Sequence, residues 1–236
     1  MRVTTCTINV GRGEGNRTMV MKVLFVDIFF ILDPPVERNG ENVENEVEVF
    51  ELFSFVKGSG VEVFVRTGLV GWMEMVEHNE NIYKIKMRNN QKEMIIGGTY
   101  WRPGKNVKEV EKWMDNMKDC NVVTGDFNAR NPMWGRKSGD TTTNVYGRQL
   151  EKWIKENGYE IHEHHEKTFR QTSTIDLAVY KTNERYNVKT TDKTGIEHKG
   201  LIGRHTITKL ENQARGNIAW KKCRLEKGGE RDGKNR

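Results

Sequence analysis

The chain has 236 residues, and its 39 Lys and Arg outnumber its 33 Asp and Glu, which gives a formal net charge of +6. This length suits one α/β domain of ordinary size, or at most two small ones. Hydrophobic residues make up 35% of the chain and charged residues 31%. That balance is lean for a globular protein, but it excludes full disorder as well as collagen-like and solenoid classes. The positive charge favours a polyanionic partner.

The compartment is predicted from the cysteines and the apolar segments. The most apolar stretch, residues 19–32, is interrupted by Lys22 and Asp27 and is shorter than the roughly 20 residues that span a bilayer. The first residues alternate like a strand and do not resemble a signal peptide. Three widely spaced cysteines indicate neither a disulfide framework nor a metal knuckle. We therefore expect a nuclear or cytoplasmic protein that is not secreted and has no membrane partner, and the sequence leaves the oligomeric state open.

Alternating and apolar patterns predict many short strands and few helices. Two helices are predicted at residues 107–117 and 146–156, the second ending at Asn157-Gly158 as a left-handed C-cap does. The acidic segment 37–45 is predicted as a surface loop. This mixture indicates one layered α/β domain over residues 1–209, followed by a basic, disordered tail at 210–236 that is either merely solvated or contacts nucleic acid. The predicted strands are residues 3–10, 27–32, 61–66, 82–87, 94–100, 121–124, 175–180, 186–191 and 206–210.

The most informative motif is the segment at residues 122–135, VVTGDFNARNPMWG. An apolar strand runs into a glycine, after which Asp126 and Asn128 follow two residues apart. On an extended backbone this spacing directs both side chains to the same side, so they could address one phosphate. The alternative is that Gly-Asp-x-Asn only forms a turn, which Asp and Asn favour.

Six motifs in order resemble the endonuclease domain of non-LTR (LINE-type) retrotransposons, a branch of the exonuclease-endonuclease-phosphatase superfamily. The resemblance covers nearly all of residues 2–209, and GDFNA followed by NPxWG is characteristic of that branch. The motifs are TCTINVGRG at 5–13, DIFFILDP at 27–34, GTYWRP at 98–103, GDFNA at 125–129, STIDL at 173–177 and GRHTI at 203–207.

The resemblance implies a DNase I-like fold, a four-layer α/β/β/α sandwich with its site at strand ends, and hydrolysis of a DNA phosphodiester with Mg²⁺ or, alternatively, Mn²⁺. It implies that His205 is the general base and that Asp176 orients it, with Asp126 next to the nucleophile. Asn9, Tyr100 and Asn128 would contact the transition state, and Asp33 and Asn9 would hold the metal. An imidazole beside a carboxylate suits proton transfer at neutral pH, and a hard cation prefers oxygen ligands.

Two positions depart from the family pattern. Asp33 stands where the family has a metal-binding Glu, which shortens the reach of the carboxylate by one methylene. Arg204 stands where the family has the Asp that precedes its catalytic histidine, so a cation replaces an anion. Arg204 would repel Mg²⁺, or it would bind a DNA phosphate directly.

The basic side chains near the motifs are candidates for binding the DNA backbone without reading its sequence. They are Arg12, Arg102, Arg130 and Arg204. Trp101 is expected to pack in the core or to lie at the site mouth. The segment at 162–166, HEHHE, permits a zinc interpretation, but a solvent-facing strand end is favoured because no further ligand completes a tetrahedral site.

The leading hypothesis is therefore an Mg²⁺-dependent DNA-nicking endonuclease domain of a non-LTR retroelement, impaired in this copy by Asp33 and Arg204. Two alternatives stay open. One is another phosphodiesterase or phosphatase of the same fold, and the other is a nucleic-acid-binding remnant without catalytic activity.

Overall fold

The computed structural model describes residues 2–12, 15–34, 49–54, 60–88, 93–182 and 186–206, and these form two six-stranded sheets with helices on both outer faces. None of the described helices is long and apolar enough to span a membrane. The helices are α1 (Asn16–Val23), α2 (Val107–Asn116), α3 (Pro132–Gly135) and α4 (Val145–Asn157). The strands are β1 (Arg2–Asn9), β2 (Ile28–Leu32), β3 (Phe50–Ser54), β4 (Val61–Arg66), β5 (Met73–His78), β6 (Ile82–Arg88), β7 (Glu93–Tyr100), β8 (Val122–Asp126), β9 (Tyr159–Ile161), β10 (Asp176–Lys181), β11 (Asn187–Thr191) and β12 (Gly200–Thr206).

The two sheets are mixed and pack face to face. The first has the order β11-β12-β1-β2-β4-β3 and the second the order β5-β6-β7-β8-β10-β9. The pairs β1–β2 and β7–β8 are parallel, and the other neighbours are antiparallel. The sheets approach closely where the ring of Phe30 lies against Gly98, since a Cβ at Gly98 would come within 2.8 Å of that ring. Apolar side chains of both sheets fill the space between them.

Helices cover the outer faces. Val20 and Met21 of α1 pack on the outer side of the first sheet, and α2 and α4 pack together on the second. Asn106 caps α2 through a capping box with Glu109, and α4 ends at Gly158 with φ of 67°. The result is the four-layer α/β/β/α sandwich.

The predicted elements agree with the structure where the pattern is strong. Strand β4 has the predicted bounds, and both predicted helices agree within one residue. The strand predicted at residues 206–210 is wrong, because β12 runs from 200 to 206 and ends where that strand was to begin. Three strands (β3, β5 and β9) and the helices α1 and α3 were not predicted. The edge strands β3 and β5 each contain a register shift, at Leu52/Ser54 and at Met75/Glu77, which interrupts their apolar alternation. The predicted loop at 37–45, the domain boundary at residue 209 and the tail lie outside the described residues.

Candidate active site

An open cleft of about 470 Å³ lies where four strand ends meet. Strands β1, β7 and β8 end at Asn9, Tyr100 and Asp126, and β10 begins at Asp176. Tyr100 is in register with Asp126 across the parallel pair, and Asp176 is in register with Asp126 across the antiparallel pair. The topology therefore brings residues that are far apart in the sequence to one edge of the sandwich.

Asp126 lines the cleft, and each of its carboxylate oxygens accepts a hydrogen bond. Asn9 Nδ2 donates to Asp126 Oδ2 at 2.9 Å, which joins the two sheets, and the backbone N–H of Asn128 donates to Asp126 Oδ1 at 2.9 Å. Burial raises the pKa of Asp126, and the charge of Asp176 raises it further, whereas His198 and the two donors act in the opposite direction. The cleft thus concentrates negative charge that a cation or a proton would stabilise.

Asn128 follows β8 in a left-handed backbone conformation, with φ of 47°. Its side-chain Nδ2 donates to the carbonyl oxygen of Trp101 at 2.9 Å, and its own carbonyl oxygen accepts from Asn144 Nδ2 at 2.7 Å. The Gly-Asp-x-Asn motif therefore does form a turn, and the same turn places Asp126 and Asn128 side by side in the cleft lining. The two interpretations of this motif are compatible.

Asp176 holds a histidine at the cleft, and that histidine is His198. His198 Nδ1 lies 3.1 Å from both carboxylate oxygens of Asp176, and both side chains are almost fully buried. Burial alone would lower the pKa of His198, but the charge and hydrogen bond of Asp176, together with the charge of Asp126, outweigh burial and raise it. Because a carboxylate can only accept, Nδ1 carries the proton and Nε2 is the nitrogen that can take a proton from another group.

The predicted pairing of His205 with Asp176 is wrong. His205 is opposite Val3 in the β1–β12 register, six residues from Asn9, which corresponds to about 20 Å along the strand. Its Nε2 contacts the hydroxyl groups of Thr5 at 3.1 Å and Tyr186 at 3.3 Å. Desolvation lowers the pKa of His205 to about 3. Strand β12 runs away from the cleft, so the histidine before it reaches the site and the one near its end does not.

Arg204 also lies away from the site, because β12 runs away from the cleft. It is exposed, lies opposite Thr4 on β1 and Asn187 on β11, and does not line the cleft. The expectation that Arg204 stands next to the metal ligands is therefore wrong, and its position gives no structural reason for an impaired site. The residue that precedes the cleft histidine is Glu197, which is acidic and lines the cleft.

Asp33 and Tyr100 lie on the side of the cleft opposite His198. Arg12 Nε donates to Asp33 Oδ1 at 2.9 Å. The Tyr100 ring packs so closely on Gly60 that a Cβ there would come within 2.5 Å of it. Burial, followed by the charges of Asp33 and Asp126, raises the pKa of Tyr100 to about 12, so its hydroxyl stays protonated and can donate a hydrogen bond at neutral pH.

The remaining basic candidates differ in their positions. Arg12 lies at the cleft through its pair with Asp33. Arg130 donates from its side chain to Ser173 Oγ at 3.3 Å and from its backbone N–H to Asn144 Oδ1 at 3.0 Å, so it joins neighbouring loops. Arg102 follows β7 and is partly buried, and its carbonyl oxygen accepts from Tyr146. Neither Arg102 nor Arg130 lines the cleft.

Trp101 and the histidine-rich segment have structural surroundings. Trp101 is fully buried and packs against Phe127, so it belongs to the core and not to the site mouth. His164 is buried, so the interpretation of this segment as a solvent-facing strand end is wrong. The ring centroids of His162 and His164 lie 5.1 Å apart. Among the described residues, the one group of three side chains placed to hold a metal is Asp126, Asp176 and His198, whose ligand atoms lie within 4.8 Å of one another.

The sequence analysis missed His198, Glu197 and Phe169 at the cleft. Phe169 lines it and packs on His198 with ring centroids 4.4 Å apart. One signal was available, because Glu197-His198 has an acidic residue directly before the histidine, as the family pattern does, whereas Arg204-His205 does not. Phe169 carries no local signal, because its contact with His198 depends on the fold.

A carboxylate-held histidine, two further acidic side chains and two amides lie together at the strand ends of this α/β/β/α sandwich, which is the exonuclease-endonuclease-phosphatase fold. A family model described as endonuclease-reverse transcriptase matches residues 77–202. This match covers more than half of the chain, so the protein belongs to that family. No curated protein matches the chain.

Solved structures show the same fold. The endonuclease domain of TRAS1, a telomere-specific non-LTR retrotransposon, has a TM-score of 0.67 at 17% identity, covering 86% of this chain and 98% of that one. An endonuclease/exonuclease/phosphatase family protein from Bacteroides thetaiotaomicron has a TM-score of 0.55 at 13% identity, covering 86% and 97%. D. rerio TDP2 complexed with a single-strand DNA product has a TM-score of 0.54 at 10% identity, covering 87% and 99%.

Proposed function

We propose that this protein hydrolyses a phosphodiester bond of DNA and nicks it, with Mg²⁺ as cofactor, as the endonuclease domain of a non-LTR retroelement. The observation that carries the proposal is the Asp176–His198 pair meeting Asp126 and Asn9 in one cleft. The match to the endonuclease-reverse transcriptase family and the likeness to the TRAS1 domain support the retroelement branch over other enzymes of the same fold.

His198 is the general base in this proposal, replacing His205. Asp176 fixes the ring through Nδ1 and stabilises the imidazolium that forms when Nε2 takes a proton from water. Asp126 and Asn9 would position the water and the phosphate, and Asn128 and the Tyr100 hydroxyl would stabilise charge on the phosphoryl oxygens. Phe169 packs against the histidine ring and limits its rotation.

The donor set of the cleft fits a hard divalent cation. Asp33 and Asn9 offer carboxylate and amide oxygens that Mg²⁺ and Mn²⁺ accept, with Asp126 beside them. When bound, the cation would neutralise the phosphate and make its phosphorus easier to attack. The hypothesis of an inactive remnant loses one of its two supports, because Arg204 lies at the far end of β12.

The proposal is tested by nicking of supercoiled plasmid DNA with Mg²⁺ and with EDTA. We expect the native chain to nick only with Mg²⁺, and Asp126→Asn to nick about 10²-fold more slowly or not at all. Asp140→Asn is the matched control, because Asp140 is equally a buried carboxylate but bonds to Thr142 and Thr174. Nicking by the native chain in EDTA would refute metal dependence, and equal rates for Asp126→Asn and the control would refute the site.

A further inference from the structure

Two arginine–carboxylate pairs flank the mouth of the cleft. Arg12 Nε lies 2.9 Å from Asp33 Oδ1, and Arg170 Nη2 lies 2.6 Å from Glu197 Oε1. Both carboxylates belong to residues that line the cleft. In the first pair, Arg12 occupies an oxygen of Asp33 that could otherwise bind a cation, so Arg12 and the cation would compete for this carboxylate.

The loops that carry Arg12 and Asp33 are joined by their backbones as well as by their side chains. Arg12 N–H donates to the carbonyl oxygen of Asp33 at 2.9 Å, and Asp33 N–H donates to the carbonyl oxygen of Gly60 at 2.8 Å. Both residues are left-handed, with φ of 55° and 46°. This conformation is uncommon outside glycine and is kept only where the surroundings fix it. The backbone positions of both residues therefore do not depend on their ion pair.

The two side chains differ in exposure. The Arg12 side chain is 58% exposed, whereas the Asp33 side chain is 17% exposed and faces the cleft. The guanidinium can thus leave the carboxylate for solvent without disturbing the loop, while the carboxylate stays in place. An exposed ion pair contributes little free energy, because ordering the long arginine side chain costs entropy, so the pair is easily displaced.

The charges in the cleft favour displacement of Arg12 from Asp33 by a divalent cation. Asp33 and Asp126 line the cleft, and a carboxylate oxygen of Asp176 lies within 4.8 Å of one of Asp126, so Arg12 is placed to neutralise one carboxylate of an acidic site. A divalent cation at Asp33 would use the same oxygen lone pairs and would repel the guanidinium. The released guanidinium would lie at the rim of the cleft, and its planar donors match a phosphate well.

We propose that Arg12 shields the Asp33 carboxylate in the cation-free protein, is displaced from it by the divalent cation, and then binds a phosphate of the nucleic acid. This inference rests on the proposed function, since the cation and the phosphate are those of the proposed reaction. Arg12 is in this view a positioning residue that couples cation binding to DNA binding.

The first test measures Mn²⁺ affinity without DNA, by the electron paramagnetic resonance signal of free Mn²⁺. The proteins are the native chain, Arg12→Gln, Asp33→Asn and the double variant. We expect Arg12→Gln to bind Mn²⁺ about two- to fivefold more tightly, the size of an exposed ion pair. In the Asp33→Asn background, the same change should give no tightening, because the shared carboxylate is gone.

Arg88→Gln is the matched control for net charge. The Arg88 side chain is also 58% exposed, and its Nε lies 2.9 Å from Glu93 Oε2, so it matches Arg12 in its own exposure, in its donor atom and in the distance to its carboxylate. Its partner Glu93 is the first residue of β7 and is seven residues from Tyr100, which lies at the cleft end of that strand. We expect its Mn²⁺ affinity to equal that of the native chain.

The second test measures DNA affinity in the His198→Ala background, which prevents cleavage during the measurement. We expect Mg²⁺ to raise DNA affinity more when Arg12 is present than in Arg12→Gln, because the cation makes the guanidinium available to the phosphate. An equal rise in both proteins would overturn the phosphate contact.

The outcomes separate this inference from the proposed function. If neither the native chain nor Arg12→Gln binds Mn²⁺, metal-dependent hydrolysis fails and the inference fails with it. If the native chain binds Mn²⁺ and nicks DNA, but Arg12→Gln binds Mn²⁺ no more tightly, only the inference fails. Equal tightening in the Asp33→Asn background would also overturn it, because the effect would then come from the general field of Arg12.

Discussion

Two buried histidines, His198 just before β12 and His205 within it, have similar exposure, but their pKa values are shifted in opposite directions. His198 is 8% exposed and His205 is 2% exposed. The charge of Asp176 outweighs burial and raises the pKa of His198. Among the described residues, the hydrogen-bond partners of His205 are the hydroxyl groups of Thr5 and Tyr186, and desolvation lowers its pKa to about 3. Burial alone therefore makes a histidine inert, and a buried carboxylate beside it makes it a base suited to neutral pH.

The first prediction tests the two histidines as candidate general bases. His198→Ala should lower the nicking rate by about 10²- to 10⁴-fold, the usual contribution of a general base. His205→Leu should keep the rate within a few-fold of native, because His205 lies about 20 Å from Asn9 along β1. Both are measured by plasmid nicking after circular dichroism has confirmed folding. A loss in His205→Leu with full activity in His198→Ala would reverse the assignment.

The second prediction concerns the pH profile. A general base must be neutral, so the nicking rate should rise with pH as His198 loses its proton, and its raised pKa places this limb above pH 6.5. Asp176→Asn should move the limb to lower pH, because burial then acts on His198 without the opposing charge. The maximum rate should also fall. The Asp140→Asn control should keep the native limb, and an unmoved limb in Asp176→Asn would contradict the pairing.

The third prediction concerns stability, and here the two histidines act in opposite directions. His205 has a depressed pKa, so the unfolded chain takes up a proton that the folded chain refuses between about pH 6.5 and 3. The free energy of unfolding should therefore fall as the pH is lowered through this window, by up to about 1.4 kcal/mol per pH unit for one such histidine. His164, whose pKa burial lowers to about 3, should add a similar loss.

His205→Leu should remove its share of this acid sensitivity. Urea denaturation at several pH values measures the slope, and a slope equal to that of the native chain would contradict the neutral state of His205. His198 has a raised pKa, so its contribution to stability is fully present below about pH 6.5 and is lost as the pH rises through its folded pKa. His198→Ala should accordingly leave the acid slope in place.

The fourth prediction concerns the hydrogen bonds of His205. Thr5→Val removes the hydroxyl 3.1 Å from His205 Nε2 and should lower the free energy of unfolding by about 1 kcal/mol, the net value of a buried hydrogen bond. Tyr186→Phe tests the second hydroxyl, at 3.3 Å, in the same way. Thermal denaturation measures both, and the nicking rate should stay unchanged. A change in rate would connect this pocket to the cleft.

The strong local patterns of the sequence were sufficient for much of the fold. Strand β4, with the bounds Val61–Arg66, and the two amphipathic helices were predictable because each has a clear apolar period. The edge strands β3 and β5 were missed, because each has a register shift in its pairing with the neighbouring strand, and such a bulge interrupts the period of two. The four-layer arrangement followed from the ordered motifs of the family and not from periodicity.

The family, the sandwich and the motif around Asp126 and Asn128 were predictable from the amino-acid sequence, because each motif is a run of neighbouring residues. The positions of His198 and His205, which are seven residues apart, depended on how β12 pairs with β1. His198 precedes β12 and lines the cleft, whereas His205 is opposite Val3, about 20 Å along β1 from Asn9. The ion pair of Arg12 with Asp33 was equally beyond the sequence, because it joins two loops that meet only when β1 and β2 pair.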